Sequence, residues 1–382
     1  MELNTVHGIE PVGIRLTAAP ATELRIDGMA AAAARELKVR VQSALEACGL
    51  PTGAAVWIET PDACRAPVDG ALDLPVALEI AAAHGAVQLP PDLSAYGELG
   101  LDGSVRPARG MCCRLRHGPG RGRTFVPEPC AAEVAAFVEE PGDALAFRSL
   151  AEVLARLRGG DAGLPIEPVK PVGSEPESVD EQTLKDERFH RLVSALESAG
   201  RALLVGPPGV FKTVMARDAV RAMPRLSGRA VMQLTRIYST AGLVDERGPV
   251  VRRPFRAPHH TVSTAGLVGG GNRPRPGEVS LAHRGVLFLD DVVEFSMESL
   301  RSLAQALSVG ESVVGNIHTS VRFPAAPAVI ATAHPCPCGW AGSPRRACRC
   351  DSSRMARYVA RLNAVRELLG LTRGAIDLEL TA

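Results

Sequence analysis

The residues best placed for chemistry begin where Leu203-Leu204-Val205 runs into Gly206-Pro207-Pro208-Gly209-Val210-Phe211-Lys212-Thr213. A phosphate loop follows the pattern Gly-x-x-x-x-Gly-Lys-Ser/Thr. Its backbone N–H groups fold around phosphates, its lysine brings a compact charge to the outer phosphates, and its hydroxyl ligates magnesium. Every part is present here except the second glycine, whose place Phe211 takes. A phenylalanine amide can still donate, but its Cβ resists the left-handed backbone that glycine supplies. Gly206 to Thr213 is therefore the candidate site for ATP and Mg2+. Farther on, Gly285-Val286-Leu287-Phe288-Leu289 ends in Asp290 and Asp291. In a phosphate-loop ATPase the first such carboxylate holds magnesium through water and the second, usually Glu, polarises the attacking water. Asp290 fits the first role. Asp291 is one methylene shorter than Glu, and a loss of reach of about 1 Å can cost ~10²-fold in rate. The bland alternative for the pair is a solvated acidic turn.

A second constellation lies at Cys336-Pro337-Cys338-Gly339 and Cys348-Arg349-Cys350. Four thiolates this close, with Pro and Gly to turn the chain, suit one tetrahedral Zn2+. Arg345, Arg346, Arg349 and Arg354 would favour thiolates and offset their charge. The alternative is a reduced thiol cluster in a loop. His334 is a competing ligand in principle, but four cysteines suffice. Cys48, Cys64, Cys112, Cys113 and Cys130 read as ordinary thiols.

These groups need elements to hold them. The C-terminal half alternates apolar strands and helices, as a parallel α/β sheet requires. Strands are expected at Arg201–Val205, Val231–Leu234, Val286–Leu289 and Ala328–Thr332, and a helix at Lys212–Ala222. Residues 159–182 carry Pro165, Pro168, Pro171 and Pro176 with acidic neighbours, a linker signature. They divide an N-terminal domain, 1–158, from a C-terminal one, 183–382. In the first, helices are expected over Met29–Cys48, Leu74–Ala83, Ala131–Phe137 and Ser149–Leu157, and a strand over Ala54–Glu59.

The chain has 382 residues, 43 Lys+Arg and 42 Asp+Glu. A net charge of +1 excludes bulk attraction to polyanions, so any DNA contact must be local. Only Lys38, Lys170, Lys185 and Lys212 are lysines; the arginines gather at 106–123, 252–275 and 345–361. The acidic, polar start is no signal peptide. The longest uncharged stretch, Phe323–Pro344, holds five prolines and cannot span a membrane. A cytoplasmic protein without membrane contact is expected.

Longer motifs then point to a family. Arg253-Pro-Phe-Arg-Ala-Pro-His-His-Thr261, Leu267-Val-Gly-Gly-Gly271, Arg275-Pro-Gly-Glu-Val-Ser-Leu-Ala-His283, Gly285–Asp290 and Pro335-Cys-Pro-Cys-Gly339 follow in order. So, more loosely, do Leu72-Asp-Leu-Pro-Val-Ala-Leu78 and Gly97–Pro107. Together they resemble the magnesium-chelatase-like AAA+ ATPases of the ComM (YifB) family. The resemblance implies an S5-like (Lon-protease-like) α/β domain followed by a P-loop AAA+ α/β domain. It also implies a hexameric ring, ATP hydrolysis and DNA branch migration, with Arg253, Arg256, Arg273 and Arg275 available to DNA phosphates. Their alternative is salt bridging at interfaces or helix caps. Leu-Asp-Leu-Pro stands where a protease would present its serine, so no peptidase activity is expected. A magnesium-insertion subunit of tetrapyrrole synthesis fits less well.

The departures from that family bear on catalysis. Phe211 replaces a glycine, Asp291 a glutamate and His334 a sensor asparagine. Leu303-Ala-Gln-Ala-Leu-Ser308 replaces Leu-Arg-Gln-Pro-Leu-Glu. A diverged Leu369–Asp377 stands before the end at Ala382, where the family continues into a helical lid; that lid is expected to be missing. The resemblance gives Asp291 and His334 the catalytic places. The expectation is an ATP-binding AAA+ protein linked to DNA processing; its alternative is a non-hydrolysing scaffold or regulator.

Overall fold

The structure is a computed structural model that describes residues 1–60, 69–115, 123–271, 274–315 and 320–371. Cys64, Arg273, residues 116–122 of the arginine-rich loop and residues 372–377 of the diverged segment lie outside these. The chain forms two compact units: Met1–Pro171 joined by Val231–Val250, and Val172–Ala230 with most of the chain after Val250.

In the first unit, Glu2–His7, Glu10–Pro20 and Ala54–Glu59 form an antiparallel sheet, with Arg25–Asp27 added parallel at its edge. Ile14 and Leu16, and Ala54, Val56 and Ile58, are buried in alternation, so one face of this sheet is covered. Helix Ala31–Ala47 buries Leu37, Val41, Ala44 and Leu45, a stripe at helical spacing. Helix Asp73–Ala83 is buried almost all round. Its Asp73 accepts from Arg40 Nε at 2.5 Å and from the Leu99 N–H at 3.1 Å. Burial pushes that carboxyl up to about 6 even against the guanidinium. A second sheet centres on Thr124–Pro127, parallel to Ser94–Ala95 and to Ala144–Phe147.

Two expectations are corrected here. Residues 159–171 pack with the first unit, where Leu164–Pro165 adds an antiparallel edge strand to Ala144–Phe147. The edge tolerates Pro165 because that position need not donate to a ladder. Val231–Leu234 is no strand but part of helix Gly228–Ala241. Val231, Leu234 and Thr235 are buried at helical spacing. A run this short does not separate strand from helix by itself.

The second unit is a three-layer α/β sandwich. Its parallel sheet runs Arg201–Val205, Ala328–Ala333, Val286–Leu289, Phe255–Arg256 in spatial order. Ala202, Leu204, Val286, Phe288 and Ile330 pack with Phe189, Leu192, Met215 and Ala219 on one side. Those partners come from helices Glu187–Ala199 and Lys212–Ala222. Leu203, Leu287, Leu289, Val329 and Ala331 pack with Leu300, Leu303, Leu362 and Val365 on the other. Those come from helices Met297–Val309 and Ser352–Leu368. A sheet covered on both faces explains why Val286–Leu289 is an unbroken apolar run.

His283, just before that strand, is 2% exposed and accepts the Ala326 N–H at 3.1 Å through Nδ1. Burial, helped by nearby Arg284, pushes its pKa down to about 4. The fold thus holds the neutral ring, while the unfolded chain binds a proton below about pH 6.5. The contribution is complete above that value and falls away as pH drops towards 4. The loss is on the order of 3 kcal/mol. Urea unfolding at pH 7 and pH 4.5 should show this slope, and His283→Gln should flatten it. Among the described residues no helix is long and apolar enough to cross a membrane.

Candidate nucleotide site and metal centre

Strand Ala328–Ala333 lies between the phosphate-loop strand and the strand that ends at Asp290, and all three are parallel. Their carboxyl ends therefore meet along one edge, the usual ligand edge of such a sheet. Lys212 opens its helix there and is 8% exposed. Its Nζ donates to the Gly206 carbonyl at 2.7 Å and lies 3.4 Å from His334 Nδ1. Burial lowers its pKa, opposed by Asp291 and then Asp290.

His334 sits between loop and acid. Its Nδ1 is 3.1 Å from the Gly206 carbonyl oxygen, and its Nε2 is 3.2 Å from Asp291 Oδ1. The bond to Asp291 raises the histidine pKa, and the same bond holds the Asp291 carboxyl below its ordinary range. Asp291 takes a left-handed backbone, φ 48°, uncommon for a side chain other than glycine. Thr332 fixes this corner: its hydroxyl donates to Asp290 Oδ1 at 2.6 Å and accepts the Asp291 N–H at 2.9 Å. Tyr358, from helix Ser352–Leu368, donates through its hydroxyl to the His334 carbonyl at 2.9 Å. Neither Thr332 nor Tyr358 stood out in the sequence. The one signal for Thr332 was its place at the end of an expected strand two residues before His334.

The loop itself is split between inside and outside. Gly206 and Pro207 are buried; Pro208, Gly209, Phe211 and Thr213 are exposed, with Val210 between. Phe211 has φ 59° and is 74% exposed. It therefore holds the left-handed conformation that glycine supplies elsewhere, at a cost of roughly 1–2 kcal/mol. Gly209, φ 82°, has no atom within 4 Å of where a Cβ would stand, which leaves the mouth of the loop open. Phe211→Gly should stabilise the protein by about 1 kcal/mol, the relieved strain less the added freedom of the unfolded chain. Urea unfolding of the two proteins measures it.

The four cysteines converge. All four Sγ atoms lie within 4.8 Å of one another. Cys336 is 3.3 Å from Cys338 and 3.7 Å from Cys348, and Cys338 is 3.6 Å from Cys348. Four sulfurs bound to zinc at about 2.3 Å would stand about 3.8 Å apart, so the donor set fits. The Ala341 N–H donates to Cys336 Sγ at 3.2 Å. Backbone N–H groups of Arg349 and Trp340 pull the Cys338 thiol down to about 6, towards the thiolate a metal needs. The cysteine turn also abuts the phosphate loop. A Cβ on Gly339, φ 83°, would come within 3.0 Å of Pro208 Cδ and 3.7 Å of the His334 ring.

Among the arginines, Arg256 is paired with Glu278 through two bonds at 2.6 and 2.7 Å. Arg253 donates to the carbonyls of Pro224 and Arg284. Arg275 is exposed.

A covered parallel sheet with a phosphate loop and acidic strand end along one edge defines a P-loop AAA+ α/β protein. The sequence matches the family described as magnesium chelatase, subunit ChlI, over residues 185–369, and subunit ChlI of Mg-chelatase over residues 14–128. It is 34% identical over 349 residues to an uncharacterized protein of Mycobacterium tuberculosis, covering 88% of this chain and 68% of that one. It is 29% identical over 381 residues to the uncharacterized protein YifB of Escherichia coli, covering 95% and 74%. Competence protein ComM of Haemophilus influenzae is 30% identical over 304 residues, covering 77% and 59%. Among solved structures, a complex of subunits BchI and BchD of magnesium chelatase overlaps 53% of this chain and 71% of that one. Its TM-score is 0.31 at 19% identity. NtrX of Brucella abortus in complex with ATP overlaps 55% and 39%, with TM-score 0.32 at 13% identity. The chain belongs to the magnesium-chelatase-like ComM (YifB) family.

Proposed function

We propose that the chain is an ATP-binding AAA+ protein that works in the cytoplasm as a homo-oligomeric ring on DNA, and that it hydrolyses ATP slowly. The single observation that carries the nucleotide reading is the meeting of Lys212, Asp290, Asp291 and His334 at one edge of the parallel sheet. ATP with Mg2+ supplies the transferable phosphoryl group and the charge that its transfer must spread. Backbone N–H groups of 209–213 bind the phosphates, since Pro207 and Pro208 carry none and that of Gly206 is held by the Ala333 carbonyl, and Lys212 turns its ammonium from the Gly206 carbonyl to them. Thr213 and Asp290 hold the ion, with Asp290 steadied by Thr332.

Slow turnover follows from Asp291 and His334. The acid that should orient water is short, and it is already bonded to the imidazole. That same bond favours the second reading, a scaffold that binds nucleotide without turnover. The cysteines hold structural Zn2+ and brace the phosphate loop through Gly339. The DNA and ring parts of the proposal rest on the family alone, which includes competence protein ComM. Phosphate release with and without DNA, against a Lys212→Ala control, tests the proposal. Turnover above the control but slow is the expected result. None at all selects the scaffold, and rapid DNA-stimulated turnover overturns the assignment of Asp291 and His334.

A further inference from the structure

Away from the nucleotide and cysteine sites, the second unit carries a concave pocket of about 340 Å³ that no function yet claims. Arg217, Arg221, Arg225, Arg252 and Arg253 line it, with Phe255 and aliphatic side chains as an apolar wall. Two carboxylates enter it from the first residues of this unit. Glu177 bonds Arg221 at 3.2 Å and also Arg252, and Glu175 bonds Arg225 at 2.6 Å. Asp218 takes the other side of Arg221 at 2.9 Å. Arg217 has no carboxylate among the described residues; its guanidinium lies 5.4 Å over the Phe255 ring.

This is more positive charge than a tether requires. The segment is already fixed by its backbone: the Ser174 N–H donates to the Val251 carbonyl at 2.9 Å, and the Gly173 N–H to the Leu226 carbonyl at 3.3 Å. Five guanidiniums meet three carboxylates, so the pocket keeps a cationic surplus beside an aromatic surface. Guanidinium forks match phosphate oxygens, and their flat faces stack on rings. The acids are held loosely, since Glu175 and Glu177 are 77% and 43% exposed and exposed ion pairs bind weakly.

We propose that this pocket binds the phosphodiester backbone of a nucleic-acid strand and that Glu175 and Glu177 occupy it until a strand displaces them. The proposal rests on the reading that the protein acts on DNA and gives that reading a surface. The pocket lies at the far end of helix Lys212–Ala222 from the phosphate loop, so strand and ATP bind separately.

The test is anisotropy of a labelled oligothymidylate titrated with the full chain at low salt. Freed of its two guards, the E175Q/E177Q variant should bind about fivefold or more tighter than the parent. R221Q/R225Q should bind at least about tenfold weaker and lose about 1.4 from the salt slope of a single strand. In the unmutated chain, the strand should speed cleavage after Glu177 by a glutamate-specific protease. That readout does not depend on how a variant folds. Parent and E175Q/E177Q binding alike, with no change in cleavage, would overturn the guard while leaving DNA binding intact. Binding by neither would overturn both. Thymidine monophosphate competing as well as the strand at equal phosphate would make this a free-nucleotide site and overturn the strand assignment.

Discussion

Lys212→Ala is expected to weaken ATP binding by at least about 100-fold while leaving the fold in place. Lys212 is the lysine that the loop itself carries; the remaining lysines of the sequence are at 38, 170 and 185. A charge-assisted bond to phosphate in a partly buried site is worth roughly 1.5–3 kcal/mol, and more where water is excluded. The 100-fold figure corresponds to about 2.8 kcal/mol. The protein should survive the loss because Lys212 is costly to bury. Its pKa is lowered by burial, and its one close carbonyl partner, Gly206, also faces His334 Nδ1. Fluorescent-nucleotide titration measures the affinity, and urea unfolding checks the fold. Unchanged affinity would mean that the ammonium stays on Gly206 when nucleotide binds.

The second large effect concerns the cysteines. The purified chain is expected to carry about one Zn2+, and Cys336→Ser with Cys338→Ser should remove it. Structural zinc contributes folding free energy directly, of order 10 kcal/mol in small domains. Here the cost is shared with an existing core, because Cys336 is buried and strand Ala328–Ala333 enters the turn from the sheet. The loss should therefore be local. Gly339 should no longer stay beside Pro208, and His334 should lose its fixed place between Lys212 and Asp291. ATP affinity should fall about tenfold with the metal. Elemental analysis gives the metal content, and nucleotide titration of zinc-loaded and chelated protein gives the coupling. A metal-free native protein with full ATP affinity would reduce the cluster to reduced thiols.

Much of this site was legible because its signals are local. The phosphate loop is a contiguous spacing pattern, and helix Lys212–Ala222 has the limits the sequence gives it. Val286–Leu289 was readable as a strand because a strand covered on both faces reads as a near-continuous apolar run. The cysteine pairs are local too. What the sequence hid depends on neighbours far along the chain. Thr332 matters because its strand lies beside the one carrying Asp290, an order set by sheet topology. Tyr358 reaches His334 from a helix packed beneath it. The nearness of Gly339 to Pro208 joins two motifs that read as separate sites. Helix Gly228–Ala241 was missed because the four residues Val231 to Leu234 are too short a window to separate strand from helix. The left-handed Phe211 was foreseeable only as a strain, and the structure shows the residue bearing it.

His334 sharpens what the sequence left open. Where the family has a neutral sensor, this chain has a ring bonded to Asp291 and lying against Lys212. In the proposed roles, binding and hydrolysis separate at such a site, since phosphate recognition would use the loop while turnover would need Asp291 free. The most direct test is an ATP titration with Mg2+, with phosphate release followed in the same sample. Saturable binding near one ATP per chain is expected, weakened at least about 100-fold in Lys212→Ala, with phosphate release far slower than binding. No saturable binding at millimolar ATP and Mg2+ would contradict it.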